Sequence, residues 1–288
     1  MPLDESQRPI PNIVPDNNLR LPDALTVKYG PAPLLSRFVL QGDETVRRWG
    51  IRLRIRHDFD ALDYVNRQAV AAGTWLPMPM MFNPQYSDLR PDNSYWLSGE
   101  NDGGEIVLTG AFRVFDWPQT SLAEQAGIYF CGLHERPHRC VITAPAAPAI
   151  KGVVFWGGSL WIRPDYRRRH LSEMVGRLGR AFAAATWPVD WMMCLVMPPL
   201  ADKGVAYGYG YKHLSRSIFF PGSYLGDLEM VVAYLSVNEA YADFAGFING
   251  ALSDPMHFCS VEYSPRRFEN IVTRISSEAD VHGSISRS

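Results

Sequence analysis

Cysteine is scarce in this chain: four residues in 288. That is too few for a disulfide framework in a protein this long, so free thiols and a cytoplasmic residence are expected. Long apolar runs are missing as well. No stretch approaches the roughly 18 uninterrupted apolar residues that a membrane span needs. The opening Met1-Pro2-Leu3-Asp4-Glu5 lacks the apolar centre of a signal peptide. There is no basic excess either. Lys and Arg number 28 against 30 Asp and Glu, a net charge of -2, so composition points to no nucleic-acid partner. No repeat recurs at a solenoid or propeller period.

What is present is an ordinary core-forming mixture. Hydrophobic residues make up 47% and charged residues 20%, which excludes global disorder. Residues 1–46 are rich in Pro, Asn and Asp and read as an N-terminal arm that lies over the domain or is partly disordered. Gly50 to Arg56 alternates apolar and basic residues, the period of a half-buried strand with an arginine-rich face. Asp58 or Asp60 is placed to cap a following helix in which Leu62, Val65 and Ala69 share a face. Asp102-Gly103-Gly104 separates two apolar runs and signals a hairpin. Residues 118–150 lack periodicity and read as an insertion between strands. Gly157-Gly158 interrupts a strand-like run and signals a bulge or a close backbone approach. Leu171, Met174, Val175, Leu178, Phe182 and Ala185 recur at helical spacing. Asp190 to Met197 reads as a buried strand, stopped by Pro198-Pro199. Two further strands cover 215–220 and 228–235. A late amphipathic helix carries Tyr241, Phe244, Phe247, Ile248 and Leu252, and the polar end from Ser276 is expected to fray. The order is that of an α/β (α+β) protein with a mixed sheet and helices packed on it.

One segment concentrates chemical information: Leu160-Trp-Ile-Arg-Pro-Asp-Tyr-Arg-Arg-Arg-His-Leu-Ser172. A strand pattern runs into a Pro-Asp-Tyr turn, three arginines follow, and a helix begins at once. Unpaired backbone N–H groups and positive charge therefore converge on one point, which suits a phosphate group. Cations at a helix N-terminus oppose its dipole, and an anionic ligand would offset that conflict. A phosphorylated cofactor is the expected occupant.

The element order and this motif resemble the GNAT superfamily of N-acetyltransferases. That family's pyrophosphate loop reads Gln/Arg-x-x-Gly-x-Gly/Ala after a strand ending in apolar-x-Pro-x-Tyr. Ile162-Arg163-Pro164-Asp165-Tyr166 matches the strand end, and Arg167 to Ser172 occupies the loop. Arg167 matches the first position, while His170 and Ser172 stand where small residues are usual. Ala201 to Tyr211 resembles the family's Ala-x-x-Leu-Tyr-x-x-x-Gly-Phe turn, with Gly210-Tyr211 on the Gly-Phe pair. The resemblance covers roughly residues 50–235. It implies a mostly antiparallel central sheet flanked by helices over residues 47–236, with 237–275 as a C-terminal helical extension and 276–288 as a tail. It implies acetyl-CoA or another acyl-CoA as co-substrate, with no metal. The pyrophosphate would lie on N–H groups of Arg168, Arg169, His170, Leu171 and Ser172, with Arg167 and Arg169 adding charge. Pantetheine would pair with Leu160, Trp161 and Ile162, opposite Trp191 to Val196, and an N–H near Leu160 would polarise the thioester carbonyl. Tyr207 is the first choice, and Tyr209 the second, for the acid that protonates the thiolate.

The implied partner is a small-molecule or peptide amine acceptor, with no nucleic acid or membrane; a homodimer is compatible with this reading. The alternative, motivated by His170 and the displaced tyrosine, is a non-catalytic module that binds acyl-CoA or a metabolite. Cys131, His134, His138 and Cys140 hold zinc-type ligands, but their spacing matches no common finger. Trp156, Trp161 and Trp191 read as core, with the lining of an acyl or acceptor pocket as the alternative for some of them. Asp190, Glu105 and His134 are candidate general bases that no spacing tells apart.

Overall fold

The computed structural model describes residues 19–129, 140–223 and 226–253. In chain order these form α1 (Leu21–Ala24), α2 (Ala32–Arg47), β1 (Arg52–Arg56), α3 (Phe59–Ala71), β2 (Ser94–Glu100), β3 (Ile106–Trp117), α4 (Leu122–Tyr129) and β4 (Val141–Ile142). Then follow β5 (Gly152–Ile162), α5 (Leu171–Thr186), β6 (Trp191–Val196), α6 (Pro198–Ala201), α7 (Val205–Gly208), β7 (His213–Ser223), β8 (Gly226–Ser236) and α8 (Val237–Ser253). The strands make one sheet in the order β1-β2-β3-β5-β6-β8-β7-β4. Every neighbouring pair in it is antiparallel except β5 and β6, which run parallel. This is the mixed, mostly antiparallel sheet with flanking helices that the sequence predicts.

Alternation along the strands divides the apolar residues between two cores. Leu53 and Ile55 of β1, Tyr95 and Leu97 of β2, and Met192, Cys194 and Val196 of β6 face one side, beneath α2, α5 and α8. Trp96, Trp156, Met193 and Val232 face the other, where α3, a 3-10 turn at Met80–Phe82 and residues 144–150 cover them. Helix α3 starts where Asp58 accepts a hydrogen bond from the Ala61 amide at 3.1 Å, so of the two proposed caps Asp58 is the one used. The Asp102-Gly103-Gly104 turn does join β2 to β3 in a hairpin.

Residues 19–46 differ from the arm reading. Helix α2 buries Leu35, Phe38, Val39 and Val46, a face at helical spacing, and packs on α8 through Phe38, whose ring stacks on Phe244 at 4.7 Å. Pro31 and Pro33 at its start gave the segment its loop-like composition; proline is tolerated in a first helical turn because the N–H it lacks has no partner there. The segment read as an insertion contributes α4 and the edge strand β4, which pairs with β7, and buries Leu122, Ala144, Ala147 and Ile150. Residues 130–139, with Cys131, His134 and His138, lie outside the described residues, as do 254–288.

Candidate functional site

The parallel pair β5–β6 does not run its full length. Its register covers Val154↔Trp191 to Gly157↔Cys194 and then stops. Beyond that point β5 stays with β3, as Thr109↔Trp161 and Leu108↔Ile162, while β6 stays with β8 through Leu195↔Val232 and Val196↔Val231. The sheet therefore opens into a wedge between Leu160–Ile162 and Leu195–Val196. The cause is local. Just past Gly158, which pairs with Ala111, the register slips before Thr109↔Trp161, and Ser159 adopts φ 45°. This bulge turns the end of β5 away from β6. Gly158 is required at the bend, since a Cβ there would lie 2.6 Å from Phe82.

Inside the wedge, the edge of β5 has no partner strand among the described residues. The Arg163 amide donates to Val107 of β3 at 2.8 Å, so Arg163 and Trp161 direct their backbone groups toward β3. By alternation Leu160 and Ile162 direct theirs toward the side β6 has left. The Ile162 carbonyl there accepts from Arg167 Nε at 2.9 Å.

The wedge opens onto the loop between β5 and α5. Pro164–Tyr166 form one 3-10 turn, and Arg168 and His170 then take left-handed conformations, φ 64° and 52°. Glycine usually serves such positions, and each costs a non-glycine residue about 1–2 kcal/mol. As a result none of the amides of Arg168, Arg169, His170, Leu171 and Ser172 finds an acceptor among the described residues. Five N–H groups and the positive end of a 16-residue helix thus meet at the mouth of the wedge. The His170 ring is directed to Glu173, Nδ1 to Oε1 at 2.7 Å.

The three arginines are not equivalent. Arg167 also donates from Nη2 to the Thr74 carbonyl at 2.9 Å, so it clasps the segment after α3 to the end of β5. Arg169 donates to the Asp165 carbonyl at 3.1 Å and lies over the rings of Tyr166 and Trp49 at 4.7 and 5.1 Å. Arg168 is exposed, and its guanidinium meets no acceptor among the described residues. Arg163 is held in a chelate by Asp165 and reaches Glu105 at 3.0 Å. Bonds from Asn101 and Arg163 keep the Glu105 carboxyl below its usual range, which makes it a weaker base. Asp190 accepts from the Val153 amide at 2.8 Å.

The tyrosine turn after β6 is anchored to α5. Arg177 donates to the Gly208 carbonyl at 2.6 Å and Arg180 to the Tyr209 carbonyl. Asp243 of α8 accepts from Arg177 at 3.0 Å and from Arg180 at 3.2 Å. Tyr207 is 59% exposed on α7, and Tyr209 is half-buried against the α2–α5–α8 core. Tyr211 is buried in the same core as Cys194, its ring under the Arg180 guanidinium at 4.7 Å. Sequence reasoning missed the Arg177–Arg180–Asp243 anchor, because partners 63 and 66 residues apart leave no local pattern.

On the sheet face away from α5, Trp75 stacks on Trp161 with centroids 5.5 Å apart and planes 17° apart. A concavity of about 700 Å³ between α1 and α2, lined by Arg20, Asp43, Glu44 and Arg47 among others, shares no residue with the wedge. Among the described residues no three His, Cys, Asp or Glu side chains are grouped to hold a metal ion.

No family model matches the chain, and no curated protein matches it. Solved structures do. It is similar to Arabidopsis thaliana NAA60 in complex with acetyl-CoA, at 10% identity and a TM-score of 0.40, over 65% of this chain and 99% of that one. It is similar to Mycobacterium smegmatis RimJ in complex with CoA-disulfide, at 12% identity and a TM-score of 0.38, over 68% and 89%. It is also similar to Paenibacillus lautus diaminobutyrate acetyltransferase EctA in complex with its substrate and coenzyme A, at 13% identity and a TM-score of 0.33, over 64% and 93%. The likeness is one of fold.

Proposed function

We propose that this protein is an acyl-CoA-dependent N-acyltransferase that moves an acyl group, in the simplest case acetyl, from the CoA thioester to a primary amine. The observation that carries the reading is the wedge between β5 and β6 ending on five unpartnered amides at the start of α5. An extended chain with a phosphate end fits both halves. Pantetheine amides would pair with the backbone groups that Leu160 directs into the wedge, beside the Ile162 carbonyl held by Arg167. The pyrophosphate would rest on the amides of Arg168 to Ser172, with the Arg168 guanidinium free to close over it. Arg167 and Arg169 would supply charge from where they are clasped.

The acceptor nitrogen would attack the thioester carbonyl, forming the C–N bond as the C–S bond breaks. A base, or water linked to one, takes the amine's proton, and the departing thiolate gains one from a tyrosine. An N–H near Leu160 would stabilise the charge developing on the carbonyl oxygen. Tyr207 is the first candidate for the proton donor and Tyr209 the second, because both hang from the turn that Arg177 and Arg180 fix against α5.

The test is direct: incubate the protein with acetyl-CoA and a panel of amino acids, polyamines and peptides, and measure thiol release. Turnover with at least one amine supports transfer. Thermal stabilisation by CoA without turnover on any amine would favour a binding module, and no response to any CoA ester would remove both readings.

A further inference from the structure

Two hydrogen-bond donors on β5 are buried without partners among the described residues. Ser159 and Trp161 are each 8% exposed, and neither the Ser159 hydroxyl oxygen nor the Trp161 indole nitrogen meets a hydrogen-bonding group there. Buried polar groups are nearly always paired, and leaving one unpaired costs about 1–3 kcal/mol. Both lie just past Gly157, the last residue of β5 paired with β6, so they flank the apex of the wedge. Ser159 sits in the bulge two positions before Trp161, and Trp161 lies on the face opposite α5, since Leu160 packs with the α5 core while Trp161 stacks on Trp75. Ser159 also has φ 45°, a strained backbone for a residue with a Cβ, and its carbonyl is fixed by the Thr109 hydroxyl at 3.1 Å.

The strain and the unpaired donors coincide at the place where the proposed reading puts the thioester. We infer that Ser159 and Trp161 are a two-donor grip for a carbonyl oxygen at the transfer centre, and that Trp75 covers them until substrate is seated. This rests on the acyl-CoA reading and adds to it. The carbonyl belongs either to the acyl thioester or to the acceptor beside its amine. Trp75 is suited to be the cover, because the residue before it, Thr74, is tied through its carbonyl to Arg167 of the loop. The indole and hydroxyl act as positioning donors and exchange no proton with the reacting atoms.

Ser159→Ala and Trp161→Phe each delete one donor and keep the side chain's shape. Three quantities separate the outcomes: urea midpoint, calorimetric affinity for CoA and for acetyl-CoA, and KM and kcat for an amine that the wild-type protein acetylates. The expected result is unchanged or higher stability in both variants, because a buried donor without a partner has been removed. If the carbonyl is the thioester's, acetyl-CoA affinity falls about threefold to tenfold while CoA affinity holds. If it is the acceptor's, both cofactor affinities hold and the amine KM rises by a similar factor. Lower stability in both variants, or unchanged values for every ligand, would overturn the inference. Wild-type protein that binds neither CoA nor acetyl-CoA would instead sink the acyl-CoA reading, and the urea midpoints would still report whether the donors lack partners.

Discussion

Cys194 and Tyr211 sit together under α5, and burial dominates their chemistry. It pushes the Cys194 thiol up to about 12 despite the Tyr211 hydroxyl and the nearby Arg180 guanidinium, and it raises Tyr211 and Tyr95 well above the usual phenol range. All three are neutral when protonated, and the unfolded chain releases their protons first. Their contribution to stability is therefore complete below the unfolded thiol's value and is lost as pH rises through the folded ones. The urea midpoint should fall steadily from about pH 9 upward, and Cys194→Ala should flatten that fall. An unchanged midpoint to pH 11 would contradict the burial of these groups. Asp243 gives a second residue-scale prediction. It faces two arginines, of which the Arg180 side chain is 1% exposed. Asp243→Ala leaves both charges buried and should cost about 3–5 kcal/mol by urea denaturation. Sequence spacing made Cys194 legible as a strand residue and Tyr211 as the aromatic after a glycine turn. It gave no sign of the Arg180–Asp243 pair, which depends on two helices meeting.

At the scale of elements, the informative unit is β5, its loop and α5. Its order was legible because Pro164 and the Gly157-Gly158 break punctuate it, and because the apolar spacing of α5 is regular. The wedge itself was not legible, since a register that stops after Cys194 depends on strands far apart in sequence. Nor was the difference among the arginines: Arg167 reaches the Thr74 carbonyl, 93 residues away. That clasp predicts a coupled effect. Arg167→Ala should speed amide exchange around residues 72–78, leave α5 protected, and weaken CoA binding at the same time; slow exchange in both segments would show that the clasp carries no load. Arg168→Ala should weaken CoA binding and leave exchange at 72–78 unchanged, because its guanidinium bridges nothing among the described residues. The αL backbone at Arg168 and His170 explains how the loop keeps a glycine-type turn without glycine. Residues 32–47 show the reverse case. Their helical spacing of Leu35, Phe38, Val39 and Val46 was in the sequence, but the prolines before and within the first turn masked it.

Across the whole molecule, the two cores divide the labour. The layer of α2, α5 and α8 holds the loop and the tyrosine turn in fixed relation, while the opposite face carries Trp75, Trp161 and α3. Phe244 is where α8 locks onto α2, buried and stacked on Phe38. Phe244→Ala should cost about 3–5 kcal/mol through the cavity it leaves, measured by calorimetric melting. It should also weaken the tyrosine turn's anchor, since Asp243 is its neighbour.

The central claim is that the amides at the start of α5 hold the phosphates of an acyl-CoA, and calorimetric titration of wild-type protein and Ser172→Glu with CoA tests it most directly. A carboxylate in the first turn favours the helix dipole, so the variant should be at least as stable as wild type. The same carboxylate would occupy the proposed phosphate site and repel an anion there. One CoA site is expected in the wild-type protein, with at least tenfold weaker binding in Ser172→Glu and no loss of stability. Equal CoA affinity in the two proteins, or no CoA binding by the wild type, would contradict it.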